Sequence, residues 1–186
     1  RRQTQCDACI LGHLRPVKDP FRAAAAARLL PASSRIRILH AGGALGAAME
    51  SQARAEQTHN PRYCWLGELP RWRALRLLAK SHLLILSSQM EGGANVVGEA
   101  LACGTPVLSS RISGSVGLLG PEYAGYFPYA DTQALAELLR RAERDADFYA
   151  QLKRDCSDRS SLVDPQRERD SLIDLLHECE RIADAA

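Results

Sequence analysis

The stretch Leu83-Leu84-Ile85-Leu86-Ser87-Ser88-Gln89-Met90-Glu91-Gly92-Gly93-Ala94-Asn95-Val96-Val97-Gly98-Glu99-Ala100-Leu101-Ala102-Cys103-Gly104-Thr105-Pro106-Val107-Leu108 decides the fold. Leu83 to Leu86 is a short, uninterrupted apolar run, the pattern of a strand buried on both faces. Gly92 and Gly93 permit a sharp turn and a close backbone approach to a ligand. A helix is expected from about Ala94 to Cys103, with Gly104 capping its end and Pro106 excluding its continuation. A helix that opens on a glycine turn offers unpaired N–H groups and a positive dipole end, both suited to phosphate. Glu91 stands just before this helix and Glu99 on its second turn. Carboxylates accept hydrogen bonds from sugar hydroxyls. Phosphate flanked by sugar hydroxyls describes a nucleotide sugar.

Outward from this unit the pattern repeats. Strands are expected at Cys6 to Leu11, Arg35 to His40, Tyr63 to Gly67, Thr105 to Ser109 and near Tyr126-Phe127. Helices are expected from Asp19-capped Pro20 through Leu30, from Ala44 to His59, and from Pro70 to Lys80. A glycine-rich loop carrying Gly114, Gly117 and Gly120 follows, then three helices: Thr132 to Glu143, Ala146 to Asp155, and one from Pro165 capped by Asp164. Alternation of this kind specifies an α/β fold with a doubly wound parallel sheet, Rossmann-like. Gly12, Gly42, Gly67 and Gly92 fall just past strand ends and mark one rim, where such sheets bind ligands.

Composition excludes several classes. The 186 residues suit a single domain, 46% hydrophobic and 25% charged. A net charge of +2 makes no case for nucleic acid or an anionic membrane. No apolar run approaches a membrane span, and the first residues are no signal peptide. Six cysteines in this length read as reduced core thiols in a cytoplasmic protein rather than a disulfide scaffold.

Glu91-Gly92-Gly93 with Glu99-Ala100-Leu101-Ala102-Cys103-Gly104-Thr105-Pro106-Val107 resembles the E-x7-E segment of the large retaining glycosyltransferase family with the GT-B architecture. There the segment belongs to the C-terminal, donor-binding domain. Gly12-His13-Leu14-Arg15-Pro16-Val17-Lys18-Asp19-Pro20 together with Glu91 to Val97 most resembles the selenosugar synthases of selenoneine biosynthesis. The resemblance implies a UDP-sugar donor, UDP-N-acetylglucosamine in the narrow form, whose sugar passes to selenophosphate with release of UDP and without a metal. It spans the whole of residues 1–186 as one donor-binding domain and implies that the acceptor is bound by an absent N-terminal domain. On that reading the isolated chain is inactive alone, and its last helix, about 165–183, either packs on the missing half, frays, or mediates contacts between copies.

The resemblance places Lys18 on the diphosphate, where a fixed cation stabilises charge developing on the leaving group. Its plain alternative is a solvated lysine beside a helix start. His13 occupies a position where the family usually has arginine, so the second diphosphate cation is either Arg15 or His13 in another capacity. Glu99 is the ribose ligand; its neighbours Val96, Val97, Ala100 and Leu101 make a purely solvent-facing role a poor fit. Glu91 is expected to touch the donor sugar or the reacting centre, although a first-turn acid opposing the helix dipole explains it as well. Asn95 and the amides of Gly93, Ala94 and Val96 would hold phosphate oxygens, with Gly92 opening the turn. By the same resemblance the base lies against Gly67-Glu68-Leu69 and is read by backbone groups. Trp72 is an edge of that pocket or a core residue.

Other signals are weaker. Cys6-x-x-Cys9 lacks a second ligand pair and reads as strand cysteines. Gly42-Gly43-Ala44-Leu45-Gly46 misses the dinucleotide spacing, and Arg62 rather than an acid lies about twenty residues on, which excludes NAD. Arg71, Arg73, Arg76 and Lys80 read as the solvated side of one helix. Two rivals remain: a Rossmann-like module that holds a nucleotide without turnover, and half of a sugar-nucleotide epimerase.

Overall fold

Six strands, β1 (Cys6–Leu11), β2 (Ile36–Ala41), β3 (Tyr63–Trp65), β4 (Leu83–Leu86), β5 (Val107–Ser110) and β6 (Tyr126–Phe127), form one parallel sheet in the order β3-β2-β1-β4-β5-β6. They are seen in a computed structural model that describes residues 5–92 and 94–184. Eight helices connect and cover them among the described residues: α1 (Arg22–Arg28), α2 (Ala47–His59), α3 (Arg71–Lys80), α4 (Asn95–Cys103), α5 (Ser113–Leu119), α6 (Thr132–Arg144), α7 (Ala146–Asp158) and α8 (Pro165–Asp184). Short 3-10 turns occupy Pro16–Lys18 and Ser160–Val163. The doubly wound α/β architecture expected from the alternation is the one observed.

Every residue of β4 and β5 is buried, as a sheet covered on both faces requires. The alanine run suits α1 to its place, because Ala23, Ala24, Ala26 and Ala27 are all fully buried and leave room for close approach. On α6, Leu135 and Leu139 are fully buried at helical spacing. Cys6 and Cys9 are strand residues of the core; burial pushes their thiols up to about 11 and about 12. These are inert thiols.

Strand order reverses at β1, which pairs with β2 on one side and β4 on the other, so Cys9 lies opposite both Leu39 and Leu84. The chain leaves β1 toward β2 in one direction and returns to β4 in the other. The connections diverge there, and a crevice opens at the carboxyl ends of β1 and β4.

Two local expectations are corrected. Asp19 does not cap α1. It adopts the left-handed conformation (φ 44°) and closes the preceding 3-10 turn, its amide donating to the Pro16 carbonyl at 3.0 Å. The N-cap position falls on Phe21, two residues beyond Asp19, so α1 begins only at Arg22, and the Asp19 carboxylate instead accepts from Arg22 Nε at 2.7 Å. The glycine-rich segment after β5 is not a loop but contains α5. Packing overrides propensity there: Ser115 is buried with its hydroxyl 2.8 Å from that of Ser109, and the Tyr126 hydroxyl donates to the carbonyls of Ser115 and Gly120. Gly104 is the C-cap of α4 at φ 66°, where a Cβ would be strained.

Candidate functional site

The rim is built from three turns tied to one another. The Gly12 amide donates to Ala41 (2.9 Å), the Leu14 amide to Gly43 (2.9 Å) and the Gly42 amide to Gly67 (2.8 Å). Gly42 is required by contact: a Cβ there would fall on the Gly12 carbonyl. Beneath the rim, His40 is buried with Nε2 at 3.1 Å from the Gly12 carbonyl and Nδ1 at 3.0 Å from the Tyr63 hydroxyl. The carbonyl can only accept, so Nε2 carries the proton and Nδ1 accepts from Tyr63. Burial lowers the His40 pKa to about 4, against the opposing bond to Gly12. On the outer side, the Gly43 amide donates to His13 Nδ1 at 3.0 Å. The His13 ring therefore presents Nε2–H to a cleft of about 280 Å³ that Gly12, Glu68, Leu69 and Arg71 also line.

Across the reversal point the loop after β4 is fastened to the 3-10 turn after β1. The Gln89 amide donates to the Val17 carbonyl (2.8 Å), the Ser87 hydroxyl to the Asp19 carbonyl (3.0 Å), and the Ser110 hydroxyl to the Ser88 carbonyl (2.6 Å). These ties set Lys18 against Glu91, with Nζ 2.5 Å from Oε1. The Ser88 hydroxyl donates to the same oxygen at 2.5 Å. Two residues 73 positions apart thus meet in the crevice because β1 and β4 are neighbours.

The mouth of α4 opens beside this pair. Ala94 is the N-cap and Asn95 the first helical residue, so the Asn95 and Val96 amides lack intrahelical acceptors. A second cleft, of about 560 Å³, runs from Gly92, Ala94 and Asn95 to Glu99 and on to Gly114 of α5. Glu99 is positioned by the buried Val97, Ala100 and Leu101 around it, and its carboxylate is 3.0 Å from Arg71 Nη2. Among the described residues no group of three or more His, Cys, Asp or Glu is arranged to hold a metal ion.

Most sequence-derived candidates gather here. Lys18, Glu91, Gly92, Ala94, Asn95 and Glu99 surround the crevice, with His13 and Leu69 in the adjoining cleft. Val96 turns its side chain to the core and offers only its amide. Arg15 is exposed and lines neither cleft. Gly93 lies outside the described residues. Trp72 is 58% exposed, under the Arg73 guanidinium at 5.0 Å, so it is neither core nor part of these clefts.

Residues 2–159 match the family described as Glycosyl transferases group 1. The chain belongs to that family. No curated protein matches this glycosyltransferase chain by sequence. Among solved structures it is similar to HepE of Anabaena in complex with UDP and glucose (TM-score 0.74, 20% identity, 92% of this chain and 49% of that one). Sucrose-phosphate synthase from Thermosynechococcus elongatus (0.77, 22%, 96% and 46%) and α,α-trehalose 6-phosphate synthase from Burkholderia multivorans (0.80, 15%, 98% and 44%) share the fold as well. The chain spans just under half the length of each. These likenesses establish the Rossmann-like fold of GT-B glycosyltransferases.

Two residues that the sequence does not single out also stand at the crevice and its clefts. Ser88 bonds Glu91, and nothing local distinguishes it from other strand-end serines. Arg71 reads from the sequence as part of a solvated helix side, yet it borders both clefts. A signal was present: unlike Arg73, Arg76 and Lys80, it stands first in its helix, directly behind the Gly67-Glu68-Leu69 rim turn.

Proposed function

We propose that this chain is the donor-binding domain of a UDP-sugar-dependent glycosyltransferase. The observation that carries the reading is the meeting, at one reversal point, of the open α4 amides, Lys18 and Glu99. The amides and Lys18 receive the diphosphate, and Glu99 receives the ribose hydroxyls one turn further along the same helix. Charge grows on the departing UDP as the bond to the sugar breaks, and fixed donors already aimed there lower the barrier. Glu91, anchored by Ser88 and Lys18, borders the sugar. Leu69 and its neighbours form the base pocket. Diphosphate charge is met by cations and helix amides, with no metal required.

In its narrow form the donor is UDP-N-acetylglucosamine and the reaction is hexosyl transfer to selenophosphate, a choice supported by the sequence likeness at Gly12 to Pro20 and Glu91 to Val97. The acceptor is held by a second domain facing the crevice, α8 packs on that domain, and the present chain alone binds donor without transferring it. Buried reduced thiols suit a cytoplasmic setting, and no helix among the described residues is long and apolar enough to cross a membrane.

Titration calorimetry with UDP and UDP-N-acetylglucosamine tests the reading. The wild-type chain is expected to bind both, and Glu99→Ala to weaken each by about tenfold or more, the worth of a charge-assisted bidentate contact. Absence of UDP binding to the wild type sinks it.

A further inference from the structure

A diphosphate brings at least two negative charges, and few cations face the crevice. Lys18 is one. His13 is not, because with Nδ1 accepting from the Gly43 amide its ring is a neutral Nε2–H donor. Arg15 is exposed and lines neither cleft. Arg71 lines both of them. From the first position of α3 it reaches to α4, where Nη2 lies 3.0 Å from Glu99 Oε1. Its side chain is 79% exposed against 26% for Glu99, so the arginine is the partner free to move, and an ion pair this exposed is easily exchanged.

Resting on the UDP-sugar reading above, we propose that Arg71 is a diphosphate ligand, parked on Glu99 until ribose arrives. The ribose hydroxyls take over the Glu99 carboxylate, displacing the guanidinium. Released between the two clefts, its planar fork of N–H donors turns to the diphosphate oxygens, for which that geometry is well matched. The exchange couples the two halves of the ligand. A nucleoside alone must displace Arg71 and gives it no new partner. A nucleoside diphosphate displaces it and receives it again. The site thereby favours UDP over uridine by more than the contacts of Lys18 and the α4 amides supply.

The test compares UDP, by calorimetry, with uridine, by ligand-detected NMR, at fixed ionic strength. Wild type, Arg71→Ala, Arg71→Lys, Arg15→Ala and the same-helix control Arg73→Ala are each titrated. Arg71→Ala is expected to weaken UDP by about tenfold or more while uridine binds as well as before or more tightly. Arg71→Lys recovers part of the UDP affinity, and Arg73→Ala changes neither ligand. Equal losses of UDP and uridine in Arg71→Ala, an unchanged UDP affinity, or a UDP loss confined to Arg15→Ala overturn the proposal while wild-type UDP binding keeps the donor-site reading intact. A wild type that binds no UDP removes both.

Discussion

His40 sits directly under the turn that carries His13, and its protonation state is tied to the fold. The native chain holds it neutral, with a pKa lowered to about 4 by burial, whereas an exposed histidine takes up its proton near 6.5. Between those values the unfolded chain binds more protons than the native one, so stability falls as pH drops through this window and the loss is complete below about 4. The interval corresponds to about 3 kcal/mol at most. Urea unfolding from pH 8 to pH 4 is expected to show wild type losing more stability across this range than His40→Gln, whatever the variant's starting stability; parallel curves would contradict the assignment. Neither this histidine nor the Lys18–Glu91 pair could be singled out from the sequence. His40 looks like any strand-end residue until Tyr63 and Gly12 are seen around it, and Lys18 meets Glu91 only because the sheet reverses between their strands. The place of Glu99 and Asn95 on one helix was legible, because that helix is local and its turn chemistry stands beside them.

Elements were readable where one strong pattern decides them and misread where contacts from afar intervene. The β4 run is apolar throughout, β5 opens on Val107-Leu108 directly behind the helix-excluding Pro106, and α6 repeats its leucines at helical spacing, so existence and type followed directly. Starts drifted where no cap fixes them: α2 begins at Ala47 rather than Ala44, behind an uncapped Gly46. The α5 segment holds three glycines in eight positions from 113 to 120 and forms only because Ser109 and Tyr126 hold it. By contrast α6 carries its own start signal. Asp131 has extended backbone and accepts from the Ala134 amide at 2.8 Å. Asp131→Ala leaves that donor unpaired at the head of a helix whose Leu135 and Leu139 fill the core. A loss of about 1 kcal/mol is expected, read as a fall in Tm of about 2–4 °C for a domain of this size, with UDP affinity unchanged. A larger fall would mean that Asp131 does more than cap.

At the scale of the molecule, α8 leaves large apolar side chains exposed among its described residues. Leu172, Leu175 and Leu176 are 55%, 58% and 62% exposed at helical spacing, and Ile173 beside them is 40% exposed. Leucines so arranged are an interaction face rather than a solvated one. The proposed second domain is the occupant that fits, since the chain spans just under half of the solved structures it resembles. Donor binding and transfer should therefore separate experimentally. Replacing Leu172 and Leu176 by serine is expected to leave the UDP affinity of this chain unchanged, because neither residue lines the two clefts. In a two-domain protein that joins this chain to the proposed second domain, the same pair of substitutions should lower transfer at saturating donor, and amide exchange across α8 should be slower there than in the present chain. A cleft that catalyses between two bodies depends on their relative placement, and a misplacement of about 1 Å costs on the order of a hundredfold in rate. If transfer by the two-domain protein survives both substitutions and α8 exchanges equally fast in both contexts, the helix does not hold the halves together, and its leucines answer to some other partner.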